Sequence, residues 1–211
     1  MKHITIAVIG GTGKSGKFVV EELLRQQFHL RLLVRNPEKT AFKNDHITFV
    51  QGDVRDYAAV DKLLHDCQAV VSTLGQPTGE RSVFSDATRT ILEAMQKNRL
   101  KRYIVTTGLS VDTPSDTKHE QTKAATEWMY AHYPETTLDK QKEYELLAKS
   151  TIDWTLIRLP LIRETQNGVG FTANLTDCKG TSIIAADLGA FIVDEIVQGN
   201  YVQQAPFLYN D

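Results

Sequence analysis

Residues 4 to 24, ITIAVIGGTGKSGKFVVEELL, set an apolar run against four glycines in seven positions, then continue with a pattern of helical period. A run of Val and Ile without alternation reads as a strand buried on both faces, which a sheet with one wet face does not need. Gly10, Gly11, Gly13 and Gly16 must then turn the chain from strand into helix within a few residues. Glycine permits positive φ in such a turn, lets backbone N–H groups come close to a ligand, and lets the helix pack tightly on the strand. The stretch therefore predicts the start of a β-α-β unit. It contains both G-x-x-G-x-x-G and G-x-G-x-x-G, and at this place they predict a pyrophosphate site. Free N–H groups and the partial positive charge of the helix amino end would meet the anion there, so a dinucleotide is expected. A merely tight turn is the plainer alternative.

Gly13-Lys14-Ser15 also matches the end of a triphosphate-binding loop, but that loop needs a glycine five positions earlier, where this chain has Val8 inside the apolar run. Nor does the run at 69–73, Ala-Val-Val-Ser-Thr, end in an aspartate placed for magnesium. A nucleotide triphosphatase is excluded.

The rest of the chain repeats the alternation. Apolar runs at 4–9, 30–34, 47–50, 69–72, 103–106 and 154–159 read as buried strands, and amphipathic segments at 16–27, 57–66, 83–98, 138–150 and 186–197 read as helices. Right-handed crossovers then predict an α/β fold, a doubly wound parallel sheet with helices on both faces. Without repeats, linkers or a composition break, residues 1–211 are expected to form a single domain. The one irregular region, about 110–137, is a candidate lid or substrate-pocket insertion; it holds a helical stretch at 120–132 carrying Trp128 and Tyr130, followed by Tyr133, and Pro134 should end it. The alternative is a helical excursion that docks these aromatics on the core.

Several classes drop out on composition. The net charge is −2 with basic residues dispersed, so no stripe exists to grip nucleic acid. No apolar stretch approaches the roughly 20 residues that cross a bilayer, and residues 1–9 are too short for a signal peptide, so no membrane partner and a cytoplasmic location are expected. Cys67 and Cys178 have no C-x-x-C neighbour and no His at ligand spacing, which points to ordinary thiols and no metal.

The second strand ends in Arg35-Asn36-Pro37, where a site selective for NAD usually presents an acid to the ribose 2′-hydroxyl. A planar guanidinium suits a 2′-phosphate instead, and Lys14 and Lys39 add charge nearby, so NADP(H) is favoured over NAD(H). A solvated surface arginine is the alternative. After the third strand, Asp53 and Val54 could accept the adenine amino group and cover its ring, while Asp56 suits a helix cap.

With these motifs in view, the chain resembles the atypical short-chain dehydrogenase/reductases of the NmrA-like and flavin/biliverdin reductase type. The resemblance rests on GGTGKSG at 10–16, LLVRNPEK at 32–39, GDVRD at 52–56, VVSTLG at 70–75, STIDWTLIR at 150–158 and AADLGAFIVDEI at 185–196. It implies a Rossmann-type sheet of strand order 3-2-1-4-5-6-7, with NADP held by the first four motifs, among them Gly10, Thr12, Gly13, Lys14, Ser15 and Gly16. It also implies that Thr73, Leu74 and Gly75 pass beneath the ribose and nicotinamide, that Thr106 and Thr107 lie beside the ring, and that Pro160 and Leu161 flank it. The chain departs from the larger superfamily in one respect. No tyrosine has a lysine at i+4, so the usual phenol acid with its pKa-lowering ammonium is missing. An acceptor whose developing charge spreads over several atoms needs positioning more than acid catalysis. Lys140 and Thr107 are the candidates for proton donor or substrate contact, against the alternatives of a surface lysine and a strand-end hydroxyl. His119 and His132 are further candidates for a proton shuttle.

Two readings of function follow. One is an NADPH-dependent oxidoreductase that passes hydride to a conjugated small molecule such as a flavin or quinone; the other is a non-catalytic NADP(H)-binding redox sensor of NmrA-like type. In either case the chain is expected to be a monomer or homodimer.

Overall fold

A computed structural model describes residues 4–77 and 79–210. The strands and helices alternate along the chain: β1 (Thr5–Ile9), α1 (Gly16–Arg25), β2 (His29–Val34), β3 (Ile47–Gln51), α2 (Tyr57–Leu64), β4 (Ala69–Ser72), α3 (Phe84–Asn98), β5 (Arg102–Gly108), α4 (Glu120–His132), α5 (Pro134–Ala148) and β6 (Asp153–Leu159). Then come β7 (Leu161–Arg163), β8 (Thr172–Asn174), β9 (Ser182–Ile184), α6 (Ala185–Val197) and β10 (Phe207–Tyr209). The main sheet runs β3-β2-β1-β4-β5-β6-β10-β8, and all its neighbours are parallel except β10 and β8. This is the doubly wound α/β fold that the apolar runs predict.

Alternate residues of β1 explain why its sequence shows no polar face. Ala7 and Ile9 pack with Val60, Leu63, Ile91 and Leu147 of α2, α3 and α5, while Ile6 and Val8 pack with Val19, Leu23, Leu188 and Ile192 of α1 and α6. Both sides of the strand are dry, so both must be apolar.

The order 3-2-1-4-5-6 is as expected, but the seventh place belongs to β10, near the chain's end, and β8 adds an eighth strand. Neither gives a sequence signal, because each is three residues long and held only by its register, Phe207 against Arg158 and Asn174. A separate parallel pair, β7 with β9, forms beyond the carboxyl end of β6. Pro134 does end α4, yet it also begins α5 at its first helical position, four residues before the expected start at 138. Proline is at home there, since its missing N–H would have no helical partner. Trp128 and Tyr133 do not dock on the core as one expectation had it, whereas Tyr130 is half-buried. Trp128 is 50% exposed and stacks on His132 at 4.4 Å, with Tyr133 edge-on at 5.7 Å.

The chain between β5 and α4 is tied down. Arg158, fully buried on β6, lies 3.6 Å over the Phe207 ring, pairs with Asp116 at 2.7 Å and donates to the carbonyls of Val111, Leu175 and Ala205. Lys118 adds bonds to the carbonyls of Leu109 and Val111 and to Asp112. Both cysteines are buried, and burial pushes each thiol up to about 11, so they stay protonated and inert at neutral pH.

Candidate functional site

Where β1 lies between β2 and β4 the direction of winding reverses, and open parallel sheets hold ligands beyond the strand ends at such a point. A cleft of about 380 Å³ sits there. It gathers Gly10, Thr12 and Gly13 from the β1–α1 turn, Arg35 from the end of β2, Asp53, Val54 and Arg55 after β3, and Thr73, Leu74 and Gly75 after β4. Four motifs separated by up to about sixty residues of chain thus share one wall.

The glycines do different jobs. Gly10 adopts φ +75°, and a methyl on it would lie 2.7 Å from the Thr73 carbonyl carbon. Gly16 lets α1 approach the strands, since a methyl there would collide with the Gly10 carbonyl oxygen and come within 2.7 Å of Thr73 Oγ1. Gly13 is unlike them. A methyl on it would meet only the Gly10 carbonyl oxygen, at 3.1 Å, so its bareness faces the cleft more than the protein. Ser15 caps α1 without a side-chain bond, and the first turn carries no acid. Among the described residues no acceptor bonds the backbone N–H groups of Thr12, Lys14, Ser15 or Gly16. This is a cradle suited to an anion.

At the other end of the cleft, Asp53 accepts from Arg55 through both oxygens, at 2.8 and 2.9 Å, and these bonds outweigh burial to hold its carboxyl below the usual range. Arg35 is exposed and pairs with Glu80 at 3.3 Å. Lys39 lines a separate shallow groove with Asn36, Pro37 and Gln51. Lys14, Ser15 and Gly16 form the helix end beside the cleft without lining it.

A second group of polar side chains meets at the carboxyl end of β5. A methyl built on Gly108 would lie 3.6 Å from Lys140 Nζ and 3.5 Å from Ser110 Oγ. Lys140 comes from α5, and its ammonium sits 4.8 Å over the Phe84 ring with no hydrogen bond or ion pair among the described residues. Desolvation lowers its pKa, opposed by the charge of Glu143. Thr107 Oγ1 and Ser110 Oγ are buried and find no hydrogen-bond partner among the described residues, whereas Thr106 Oγ1 lies 3.5 Å from the Ser72 carbonyl. Asp139, next to Lys140, anchors α5 by accepting from the backbone N–H of Phe84 at 2.8 Å and from Ser82 Oγ at 2.6 Å, so it also caps α3. Pro160 is buried and Leu161 is 69% exposed, and both lie outside the cleft lining. His119 pairs with Asp177 at 2.7 Å and His132 stacks on Trp128, which leaves neither in this group.

Sequence reasoning missed Glu143, whose setting in DKQKEYE reads as a solvated helix face. It is buried, accepts from Thr88 Oγ1 at 2.9 Å, and its other oxygen has no partner among the described residues. Burial pushes its carboxyl up to about 8 from an ordinary 4.5; the Thr88 bond and Lys140 oppose this and Asp139 adds to it. The folded chain therefore holds a proton that the unfolded chain releases between about pH 4.5 and 8. The stability this lends is complete below 4.5 and lost as pH rises through about 8, at up to about 1.4 kcal/mol per pH unit. Urea unfolding from pH 5.5 to 8.5 is expected to show that decline in the wild type and a flatter curve in Glu143→Gln; parallel curves would mean Glu143 is ionised throughout.

No helix among the described residues is long and apolar enough to cross a membrane. Comparison with known proteins adds an independent line. An isoflavone reductase homolog of Solanum tuberosum is 33% identical over 107 residues, 46% of this chain and 33% of that protein, so the match spans about a third of the relative's length. A short-chain dehydrogenase/reductase of Veillonella parvula, solved in complex with NADP, superposes with a TM-score of 0.82 at 13% identity, over 99% of this chain and 95% of that one. ChuY, an anaerobilin reductase of Escherichia coli O157:H7, superposes with a TM-score of 0.81 at 18% identity, over 97% and 96% of the two chains. The model of the NAD(P)H-binding family matches residues 10–198, the span that carries the glycine turn, the cleft and the Lys140 group alike, and the chain belongs to that family.

Proposed function

We propose that the protein is an NADPH-dependent reductase that delivers hydride to a flat conjugated acceptor such as a flavin or quinone. The observation that carries this reading is the Lys140 ammonium beside Gly108, without a hydrogen bond or ion pair among the described residues, together with the Thr107 and Ser110 hydroxyls that find no partner among them, at the strand end next to the cleft. A sensor that only binds cofactor has no need of a desolvated ammonium there, because burying a charge without a partner costs free energy. The bare glycines and free N–H groups fit a pyrophosphate. When bound, the nicotinamide cofactor supplies the hydride.

The chain's own residues divide the rest of the work. Gly10, Thr12, Gly13, Lys14, Ser15 and Gly16 receive the pyrophosphate. Arg35 meets the 2′-phosphate. Asp53 retains lone pairs beyond those used by Arg55 for the adenine amino group, and Val54 covers the ring. Thr73, Leu74 and Gly75 support the ribose and nicotinamide, and Thr106, Pro160 and Leu161 border the ring. Lys140 holds a proton at Nζ for the acceptor, its lowered pKa easing release, and Thr107 offers a hydroxyl to orient it. The tied-down 110–137 segment forms a fixed wall of the substrate side.

Mixing protein, NADPH and FMN or menadione and following the nicotinamide absorbance tests the reading; steady loss is expected, and inertness across a panel with cofactor tightly bound would favour the sensor. Arg35→Ala is expected to weaken NADPH binding by about 1–3 kcal/mol and leave NADH nearly unchanged in calorimetric titration. Equal losses would refute the 2′-phosphate role.

A further inference from the structure

At the adenosine end of the cleft, none of the predicted roles uses Arg55, which lines it, or Glu80, which lies behind the two arginines of its wall. Glu80, in the segment between β4 and α3, reaches Arg35 Nη1 with one carboxylate oxygen at 3.3 Å and Arg55 Nη2 with the other at 3.0 Å. Gln76 fixes this arrangement from the same segment, its Nε2 donating to the carbonyls of Pro77, Glu80 and Arg81. Arg55 is held in turn by both oxygens of Asp53. Each guanidinium meets one oxygen of the same anion, and a phosphate in that place could offer each arginine two oxygens for a bidentate pair.

Charge decides what this means for a ligand. Arg35, Arg55, Asp53 and Glu80 sum to zero, so a 2′-phosphate with its roughly two negative charges would enter a neutral cluster and meet the Glu80 carboxylate directly. With Glu80 turned away, the remaining three groups carry one positive charge and offer two forks. A ribose 2′-hydroxyl makes no such demand, because it can donate to Glu80 where it stands.

We propose that Arg55 is a second ligand of the cofactor's 2′-phosphate and that Glu80 is the built-in anion this phosphate displaces from Arg35 and Arg55. The proposal rests on the NADP(H) reading above. Its consequence is a carboxylate that taxes the phosphorylated cofactor and spares the other, so that Glu80 and Arg55 together set the ratio of the two affinities.

Calorimetric titration of the full chain with 2′,5′-ADP and with 5′-AMP isolates the subsite from the nicotinamide. Glu80→Gln is expected to tighten 2′,5′-ADP about 3- to 10-fold, and Arg55→Ala to weaken it about 10-fold, with 5′-AMP changing by less than about 2-fold in both. Arg55→Lys, which keeps the charge but loses the fork, should fall between wild type and Arg55→Ala. Unchanged or weaker 2′,5′-ADP binding in Glu80→Gln would overturn the displaced-anion role, and equal losses of both ligands in Arg55→Ala would reduce Arg55 to a support for Asp53. A wild type with no preference for 2′,5′-ADP would instead sink the NADP(H) reading and this proposal with it. Melting curves check that each variant is folded.

Discussion

Replacing Gly13 by valine is expected to abolish measurable binding of NADPH and NADH alike while the protein stays folded. The two halves of that expectation come from different facts. On the protein's side, a methyl at Gly13 meets only the Gly10 carbonyl oxygen at 3.1 Å, and the backbone there is not in the left-handed region, so the turn tolerates a side chain after a shift of a few tenths of an ångström. On the ligand's side, a β-branched side chain occupies the approach to the free N–H groups of the α1 amino end, where phosphate oxygens must come within about 3 Å. A loss of more than about 100-fold in affinity, or about 2.7 kcal/mol, should accompany a melting temperature within a few degrees of wild type. Gly16→Val is the contrast. Its first added carbon would already strike the Gly10 carbonyl and Thr73, so that variant should fail as a folding defect. If Gly13→Val kept its cofactor affinity, the glycine turn would be a structural device alone.

Lys140→Met is expected to cut turnover with NADPH and menadione about 100-fold while leaving the NADPH dissociation constant within about 2-fold, since a positioned general acid contributes about 100- to 10,000-fold. Methionine keeps the unbranched stem over the Phe84 ring and removes only the ammonium. The pH profile separates a proton donor from a mere filler. Turnover in the wild type should fall as pH rises through the lowered pKa of Lys140, and that descending limb should be absent from the residual rate of the methionine variant. A rate that is unchanged, or a limb that persists, would assign the proton to solvent.

The two variants probe parts of the site that were legible to different degrees. GGTGKSG could be read because every role in it is local: a turn, a bare backbone and a helix end lie within seven residues, and the flanking apolar run supplies the context. Arg35 and Asp53 could be read because strand ends in a parallel sheet come to one edge whatever the details of packing. Lys140 was visible only as one lysine among several in DKQKEYE. Its distinction, together with that of Glu143, comes from α5 turning the i and i+3 positions inward against α3 and the end of β5, in a segment whose polar letters look solvated. Glu80 and Arg55 were invisible for a related reason, since their shared contact joins segments 25 residues apart through a loop with no periodicity.

The six buried strands, both buried faces of the sheet, the glycine cradle and the basic end of β2 therefore belong to the sequence itself, because period, glycine placement and strand-end chemistry act over a few residues, whereas the order of those strands came only with the family resemblance. The place of β10 beside β6, the inward aim of Lys140 and Glu143, the clamp of Arg158 on the chain after β5 and the bridging of two arginines by Glu80 were decided only in three dimensions. Each depends on which neighbour a side chain meets across the fold, and burial turns an ordinary charge into a perturbed one only after that neighbour has arrived.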